Sequence, residues 1–327
     1  MRKRAVITGA SGMIGVALAQ ECVAAGEEVL AICHRGSPKN EALRKLSGVE
    51  VLETDLDEYI NLAGKHWEKK CDTFYHLAWA GTTGSARNDM ALQTENIRFT
   101  LDAVTLAESM GCRTFVGSGS QAEYGRHQET LRPRTPVFPE TGYGMAKLCA
   151  GQMSRYSCEQ KGIRHIWARV LSVYGPYGSQ DMITVALQKL MRGEHVSFTA
   201  GEQVWDYLYS EDAARALRLM AEKGVSGKTY VLGSGQARSL KEYLEVMHKV
   251  VCDRLGQEGC KAGTVGIGEL PYDVSQVMCL DGDIEELEKD TGFFPGVRVE
   301  EGIISLLDQM ILVGAGGMVE GGKCETR

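Results

Sequence analysis

Short apolar runs alternate with longer amphipathic segments through the first half of the chain. Runs suited to buried strands cover residues 5–7, 27–33, 49–54, 73–77, 114–118 and 163–169. Apolar residues recur at helical spacing over 90–110, and helices are also predicted over 16–25 and 142–161. Repeated strand–helix units of this size predict an α/β fold, a doubly wound parallel sheet with helices on both faces. Ligands of such a sheet bind beyond the carboxyl ends of its strands.

The turn after the first predicted strand carries three glycines, in the sequence TGASGMIG at residues 8–15. Gly9 allows a sharp turn, Gly12 lets backbone N–H groups approach a pyrophosphate, and Gly15 lets the next helix lie close to the sheet. The spacing is G-x-x-G-x-x-G, and a purely structural turn is the alternative interpretation. Placed between a strand and a helix, the pattern predicts a Rossmann-like dinucleotide site at the positive end of that helix.

The regular alternation loosens after about residue 171, and glycines cluster in the later part of the chain. We expect residues 1–172 to form the Rossmann-like domain, with a later segment at about 203–235 returning to it. Residues 173–202 and 236–312 are predicted to form a smaller, irregular α/β substrate-binding region on the C-terminal side. The glycine-rich, polar residues 313–327 are predicted to be a disordered tail.

Composition and charge restrict the class of function. The chain has 327 residues and a net charge of −7, which argues against nucleic-acid or anionic-membrane partners. Its ten cysteines include no C-x-x-C pair, so neither a zinc knuckle nor another metal site is expected. No apolar run reaches the roughly eighteen residues that a membrane span needs. Reduced core thiols and the lack of a span predict a cytoplasmic protein.

The end of the second predicted strand favours NADP(H) over NAD(H), with NAD(H) still possible. Sites for NAD place an acid here to bind the ribose 2′-hydroxyl, whereas the sequence reads CHRGSPK at residues 33–39. Arg35 offers a fork of donors to a 2′-phosphate, and Ser37 and Lys39 could assist. A solvated basic turn is the alternative. Asp55, after the third strand, suits an adenine amino group or the N-cap of the next helix.

Tyr143 and Lys147 form a Y-x-x-x-K pair on a predicted helix, where positions i and i+4 share a face. The ammonium of Lys147 is expected to lower the pKa of Tyr143 by favouring the phenolate. Such a tyrosine can exchange a proton with a carbonyl or alcohol oxygen while hydride moves at carbon. A surface pair on an amphipathic helix is the alternative. The fifth strand ends in GSGSQAEYG at 117–125, where a serine can bind the same oxygen.

These motifs occur in an order that resembles one family. The chain is similar to the extended short-chain dehydrogenases/reductases, specifically the NAD-dependent epimerase/dehydratase family that acts on nucleotide sugars. The supporting motifs are TGASGMIG, YHLAWAG at 75–81, GSGSQAEYG, YGMAK at 143–147, RVLSVYGP at 169–176 and WDYLYSEDAARA at 205–216. The resemblance covers roughly residues 4–312.

The resemblance implies a set of site residues. The catalytic residues would be Ser120, Tyr143 as acid/base and its partner Lys147. Cofactor-binding residues would be Gly9, Ser11, Gly12, Met13, Ile14, Gly15, Arg35, Asp55, Leu56, Leu77, Ala78, Asn96, Ser118, Tyr143 and Lys147. The substrate side would comprise Trp79, Gln121, Ser172, Trp205, Asp206 and Tyr209. Ser120 is preferred over Ser118 because it stands four residues before Tyr124, as in the family's S/T-x-x-x-Y-G pattern.

Four positions, in three segments, depart from the family pattern. Ser172 replaces an asparagine that touches the sugar nucleotide in many relatives, and Trp205 replaces an arginine that touches the diphosphate. Family dehydratases carry Asp-Glu directly after the catalytic serine or threonine, where this chain has Gln121 and Ala122. Glu123 is one residue further along, and alternation could point it elsewhere. Dehydration is therefore disfavoured.

The sequence as a whole predicts an NADP(H)-dependent reductase of a keto group on a nucleotide-activated deoxysugar, most plausibly a 4-ketoreductase. The alternatives are a nucleotide-sugar epimerase with tightly bound NAD and a non-catalytic NAD(P)-binding regulatory protein. The resemblance also implies a homodimer. Its interface would be a four-helix bundle built from helices 90–110 and the helix bearing Tyr143.

Overall fold

The computed structural model describes residues 2–178, 181–257, 259, 261–274 and 276–317. Strands and helices alternate in the first half: β1 (Arg4–Thr8), α1 (Met13–Ala24), β2 (Glu28–Cys33), α2 (Asn40–Arg44), β3 (Val49–Glu53), α3 (Tyr59–Ala63), β4 (Thr73–His76), α4 (Met90–Ser109), β5 (Thr114–Ser120), α5 (Gly142–Gln160) and β6 (Arg164–Val170). All six predicted strands and the three predicted helices are therefore present.

The second half has shorter elements: β7 (Ser172–Tyr174), α6 (Met182–Met191), β8 (His195–Phe198), β9 (Val204–Trp205), β10 (Tyr207–Tyr209), α7 (Ser210–Lys223), β11 (Thr229–Leu232), β12 (Arg238–Ser239), α8 (Leu240–Gln257), β13 (Thr264–Ile267), β14 (Cys279–Leu280), α9 (Glu285–Thr291) and α10 (Val299–Gly317). Apart from β11, which joins the central sheet, their strands pair in three small sheets, β7 with β10, β8 with β13, and β9 between β12 and β14.

The central sheet has seven parallel strands in the order β11-β6-β5-β4-β1-β2-β3. The order reverses beside β1, so the carboxyl ends of β1 and β4 flank the switch point at which ligands bind in sheets of this kind. Helices α1 and α7 cover one face, and α3 and α4 cover the other. This arrangement confirms the predicted fold class.

A separate apolar core lies between the later helices. Leu187 of α6, Leu244 of α8 and Leu307 of α10 are buried in it together with the aromatic side chains of β7 and β10. Strand β7 directly follows β6 of the central sheet, and its partner β10 directly precedes α7. This core is therefore joined to the carboxyl edge of the sheet. It therefore forms one wall above the switch point.

Trp167 of β6 explains the alternating glycines of β5. A Cβ added at Gly117 or Gly119 would lie 2.3 Å from its indole, and one at Gly151 of α5 would lie 2.7 Å away. Carbon atoms do not approach so closely, so larger residues at these positions would displace the indole. The glycines of GSGS thus make room for Trp167, while Ser118 and Ser120 leave two hydroxyls at the carboxyl end of the strand.

Several boundaries differ from the predictions. Helix α1 begins at Met13, before the predicted residue 16, so the last glycine of the turn lies inside the helix. The predicted tail of 313–327 is wrong at its start, because α10 continues through residue 317. Glycine lowers helix propensity, but it does not prevent a helix that has already formed from continuing. Residues 318–327 lie outside the described residues. None of the described helices is long and apolar enough to cross a membrane.

Candidate active site

The glycine turn after β1 is fixed by close packing. Gly9 has a φ of +67°, and a Cβ there would lie 2.7 Å from the amide nitrogen of Ala78. A Cβ at Gly15 would lie 2.4 Å from the carbonyl oxygen of Gly9. At Gly12 the nearest atom to an added Cβ is 3.4 Å away, so space is left beside this residue. The backbone can therefore be approached at Gly12, as the sequence predicts.

The start of α1 fits the pyrophosphate of a dinucleotide. Gly12 is extended at the N-cap, with φ −79° and ψ 166°, and no side chain caps the helix. The N–H groups of the first turn, at Met13, Ile14 and Gly15, lack intrahelical acceptors by the geometry of any helix start. They point outward with the positive end of the helix dipole. These groups suit the anionic linkage of a nicotinamide dinucleotide.

Two connected cavities meet at the glycine turn and share Gly9, Gly12 and Leu77. The first, of about 520 Å³, is also lined by Ser11, Ile32, His34, Thr54, Asp55, Leu56, Tyr59, Ala78, Trp79 and Ala80. The second, of about 670 Å³, includes Met13, Ile14, Gly15, Thr82, Ser118, Ser172, Asp181, Met182, Trp205 and Tyr207. Most of the predicted cofactor residues therefore line one continuous cleft. His34, Thr54 and Tyr59 also line it, and no motif in the sequence indicated them.

The predicted phosphate-binding residue, Arg35, does not line the first cavity. Its guanidinium donates to the carboxylate of Glu58, and its Nε lies 3.8 Å from Oδ2 of Asp55. Asp55 precedes a short 3₁₀ helix without capping it, so the N-cap interpretation of its side chain is wrong. Its buried Oδ1 lies 2.8 Å from Nδ1 of His34, although these two atoms do not form a hydrogen bond of good geometry. An adenine amino group that binds this oxygen would therefore compete with His34.

The predicted catalytic side chains converge at the carboxyl end of β5. The Ser120 hydroxyl faces the phenol of Tyr143, and the Nζ of Lys147 donates to the carbonyl oxygen of Ser118 at 2.7 Å. Thr141 caps α5 by accepting from the amide of Gly144, which fixes the first turn that carries Tyr143. Three separate sequence motifs are thereby brought to one point beside the cleft.

The expected effect of Lys147 on Tyr143 is not found. Burial raises the pKa of Tyr143, while hydrogen bonding by Ser120 and the positive charge of Arg87 oppose the rise. The Nζ of Lys147 lies 5.8 Å from the Tyr143 ring centroid. Burial lowers the pKa of Lys147 itself to about 7, opposed by the negative charge of Glu123. Without a bound cofactor, desolvation therefore dominates at both side chains.

Glu123 is engaged in a buried network and does not face the cleft. Its Oε1 accepts from the amide of Ser120 at 2.8 Å and from Nε1 of Trp167 at 2.9 Å. Its Oε2 accepts from Nε of Arg169 at 2.7 Å, and the two side chains are 1% and 6% exposed. The segment is a 3₁₀ turn, in which Ser120 and Glu123 form a capping box. The ion pair therefore holds the backbone on which Ser120 stands.

The connection between β4 and α4 covers the catalytic side chains. Asn96 holds it by exchanging two 2.9 Å hydrogen bonds with the backbone of Ala80. Asn88 accepts from the amide of Gly142 at the start of α5. Arg87 lies over the Tyr143 ring, with its guanidinium carbon 4.2 Å from the centroid. Arg87 was not predicted, since only its position just before a long helix distinguishes it in the sequence.

The predicted substrate residues are divided in space. Trp79, Ser172 and Trp205 line the cleft, and Gln121 lies next to Ser120 in the 3₁₀ turn. Asp206 is fully buried, with its carboxylate accepting from the amides of Ser234 and Gly235. Tyr209 donates to Ser305 of α10. The structure does not bring Asp206 or Tyr209 into the cleft, because both side chains join elements of the wall behind it.

Comparisons with known proteins identify the family and agree with the fold. The model of the NAD dependent epimerase/dehydratase family matches residues 5–233. The chain is 23% identical over 319 residues to an uncharacterized protein of Methanocaldococcus jannaschii, covering 92% of this chain and 94% of that protein. It is 26% identical over 251 residues to the ADP-L-glycero-D-manno-heptose-6-epimerase of Pseudomonas paraeruginosa, covering 72% and 75%. The UDP-glucose 4-epimerase of Thermotoga maritima, solved with UDP-glucose, superimposes with a TM-score of 0.80 at 22% identity, covering 95% and 99%.

The buried ion pair yields a stability prediction. Arg169→Met leaves Glu123 as an uncompensated buried charge, so we expect the free energy of unfolding to fall by about 3–5 kcal/mol. Arg126→Met is the matched control, because Arg126 pairs with Glu140 at the surface, where both side chains are nearly half exposed. Its cost should stay within about 1 kcal/mol. Urea unfolding of both variants measures the difference, and equal costs would contradict the assigned role of the pair.

Proposed function

We propose that this chain, which belongs to the NAD dependent epimerase/dehydratase family, is an NADP(H)-dependent reductase of a keto group on a nucleotide-activated deoxysugar. The expected position of that keto group is C4 of the sugar. Within the family's extended short-chain dehydrogenase/reductase fold, the reaction would take place where Ser120, Tyr143 and Lys147 converge beside the cleft.

The convergence of Ser120, Tyr143 and Lys147 beside the cleft carries the proposal. Burial raises the pKa of Tyr143, so the phenol keeps its proton in the neutral pH range. The protonated phenol can donate to the carbonyl oxygen of a keto sugar, and the same group would accept that proton in the reverse oxidation. When bound, the nicotinamide cofactor supplies the hydride. Ser120 would polarise the carbonyl, and Lys147 would hold the ribose and compensate developing negative charge at Tyr143.

The surroundings of Ser120 argue against dehydration. That reaction needs an acid to protonate the leaving hydroxyl and a base to remove a proton from carbon. The two positions after Ser120 hold Gln121 and Ala122, and the carboxylate of Glu123 is engaged with Trp167 and Arg169. Redox chemistry alone needs neither carboxylate.

A nucleotide-linked sugar is the substrate class that the cleft and the relatives favour. The named relatives act on or bind ADP- and UDP-sugars by their descriptions. The second cavity extends from the glycine turn to Ser172 and Trp205, which leaves space for a ligand beyond the cofactor. Trp205 is pinned by donation from its Nε1 to the carbonyl of Val277, so its indole presents a fixed wall.

A nucleotide-sugar epimerase with bound NAD is the second candidate. The pairing of Arg35 with Glu58 favours it, because an engaged guanidinium is less available to a 2′-phosphate. Arg35 and Glu58 are nevertheless 56% and 39% exposed, and exposed pairs are worth little. We therefore retain NADP(H) in the proposal. Denaturing the purified protein and identifying any released nicotinamide nucleotide separates the two, since stoichiometric, non-exchanging NAD indicates the epimerase.

Tyr143→Phe tests the mechanism. Loss of the proton donor should reduce turnover of a 4-keto nucleotide sugar by about 10²–10⁴-fold and leave cofactor binding intact. The measurement is NADPH oxidation on a panel of such sugars, with NADPH affinity determined in parallel. Tyr156→Phe, on an exposed part of the same helix, is the control and should keep full activity. Undiminished turnover in Tyr143→Phe would rule out its proposed role.

Two variants that should change NADPH affinity in opposite directions test the choice of cofactor. Arg35→Ala should weaken NADPH binding by roughly 10- to 100-fold and leave NADH unaffected, because only NADPH carries the 2′-phosphate. Glu58→Gln releases Arg35 from its partner and should strengthen NADPH binding by up to about fivefold. Titration of each variant with both nucleotides measures the ratio. If neither variant changes the ratio of NADPH affinity to NADH affinity, Arg35 does not determine the cofactor preference, and NAD becomes the favoured cofactor.

The proposed homodimer uses the outer faces of α4 and α5. Met145, Met153 and Tyr156 are exposed on α5, and the groove between the helices has a volume of about 810 Å³. Met153→Glu places a charge in this face and should convert a dimer to monomers in light scattering. Ile304→Glu, at an exposed position of α10, is the control and should remain dimeric. If the wild-type chain is monomeric in light scattering, the proposed homodimer is wrong.

A further inference from the structure

Trp79 contacts both of the side chains on α5 to which catalysis is assigned. The Nζ of Lys147 lies 3.8 Å from the centroid of its ring, which is the distance of a cation–π contact. The ring of Tyr143 meets the indole edge-on, with centroids 5.9 Å apart and an interplanar angle of 81°. The indole also lines the first cavity of the cleft. It therefore borders the cleft and contacts both members of the proposed catalytic pair.

The ammonium of Lys147 has more N–H donors than nearby hydrogen-bond acceptors. An ammonium has three N–H donors. One donates to the carbonyl oxygen of Ser118 at 2.7 Å, and a second reaches the Ser118 hydroxyl at 3.5 Å, a marginal distance. Within the described residues, no carboxylate forms an ion pair with this side chain, which is 3% exposed. Among the described residues, the π face of Trp79 at 3.8 Å is the nearer of two aromatic partners of this cation, and the Tyr143 ring at 5.8 Å is the other.

The orientation of the indole is fixed independently of Lys147. Its Nε1 donates to Oε1 of Gln93 at 2.9 Å. Gln93 is buried on α4, and its Nε2 donates to the carbonyl oxygens of Gly81 and Ala86, each at 2.9 Å. Trp79 is thus anchored to the helix and to both sides of the turn that follows β4. An aromatic plane anchored in this way can position a flexible lysine.

We propose that Trp79 is a positioning residue for Lys147, and that its indole face holds the ammonium charged and in place at Ser118 beside Tyr143. The inference rests on the proposed function only in that it takes Lys147 to be a catalytic side chain. Trp79 exchanges no proton in this role. It compensates for the desolvation of the cation, which burial otherwise disfavours.

The charged and titratable groups around Lys147 determine how strongly its charged form is favoured. Glu123 favours its charged form, and burial opposes it. His76 of β4 is neutral, because burial and the charge of Lys147 lower its pKa to about 3. Tyr143 is protonated, and Arg87 lies on the Tyr143 ring. A π face favours the ammonium over the neutral amine, so replacing the indole with an apolar side chain that keeps water out should lower the pKa of Lys147 further.

The test is a pH titration of the full chain, without cofactor or substrate, labelled with ¹³C at lysine Cε. The Lys147 signal is assigned by its absence from the spectrum of Lys147→Arg, and burial should lower its pKa relative to exposed lysines, which titrate near 10.4. In Trp79→Leu the pKa of Lys147 should fall by a few tenths to about one unit. Trp79→Phe keeps a weaker aromatic face and should give a smaller fall in the same direction. Trp67→Phe is the control and should leave the titration unchanged.

An unchanged or raised pKa of Lys147 in Trp79→Leu would overturn the inference. If that variant does not fold, the smaller shift in Trp79→Phe decides the same question. The titration uses neither cofactor nor substrate, so its outcome is independent of whether the chain reduces a nucleotide sugar. Once a substrate is known, Trp79→Leu should lower kcat and move the alkaline limb of its pH profile to lower pH, with partial recovery in Trp79→Phe.

Discussion

The buried ion pair of Glu123 and Arg169 is the constraint on which the candidate site depends. It joins the 3₁₀ turn after β5 to β6, and the same carboxylate accepts from the amide of Ser120. A charge pair with almost no exposure needs each of its donors and acceptors satisfied, since an unpaired member is costly. Here the additional bond from Trp167 completes the set around the carboxylate. The position of Ser120 is therefore determined by packing behind the site.

This arrangement also explains the local sequence. Trp167 needs glycine at 117 and 119 on the neighbouring strand, and the hydroxyls at 118 and 120 then reach the end of the sheet. Lys147 approaches the same strand end through Ser118, and Tyr143 approaches through Ser120. The motif GSGSQAEYG is thus a packing motif and a polar site together. Its glutamate is structural, because both of its carboxylate oxygens accept hydrogen bonds from groups inside the protein.

The sequence predicted most of the fold because strands buried on both faces give continuous apolar runs and the glycine turn has few other uses. It also indicated the residues that converge through short-range motifs, such as Tyr143 and Lys147. It was least informative where a side chain contacts a distant segment. Asp206 and Tyr209 belong to a motif near the substrate region, yet they bond to residues 28 and 96 positions away. The raised pKa of Tyr143 was also missed, because desolvation depends on everything that surrounds the ring.

Exposure divides the cleft into two parts with different tolerance to change. At the catalytic end, Lys147 and Ser120 are buried, so their protonation and positions depend on neighbours such as Trp79 and Glu123. At the adenosine end, Arg35, Glu58 and Asp55 form exposed pairs that water screens. A substitution at this rim therefore changes the free energy of cofactor binding by little more than the energy of the contact that it removes. Under the proposed function, a change at this rim would alter cofactor choice without disturbing the end at which Ser120, Tyr143 and Lys147 meet, so binding measurements are needed to separate NADP from NAD.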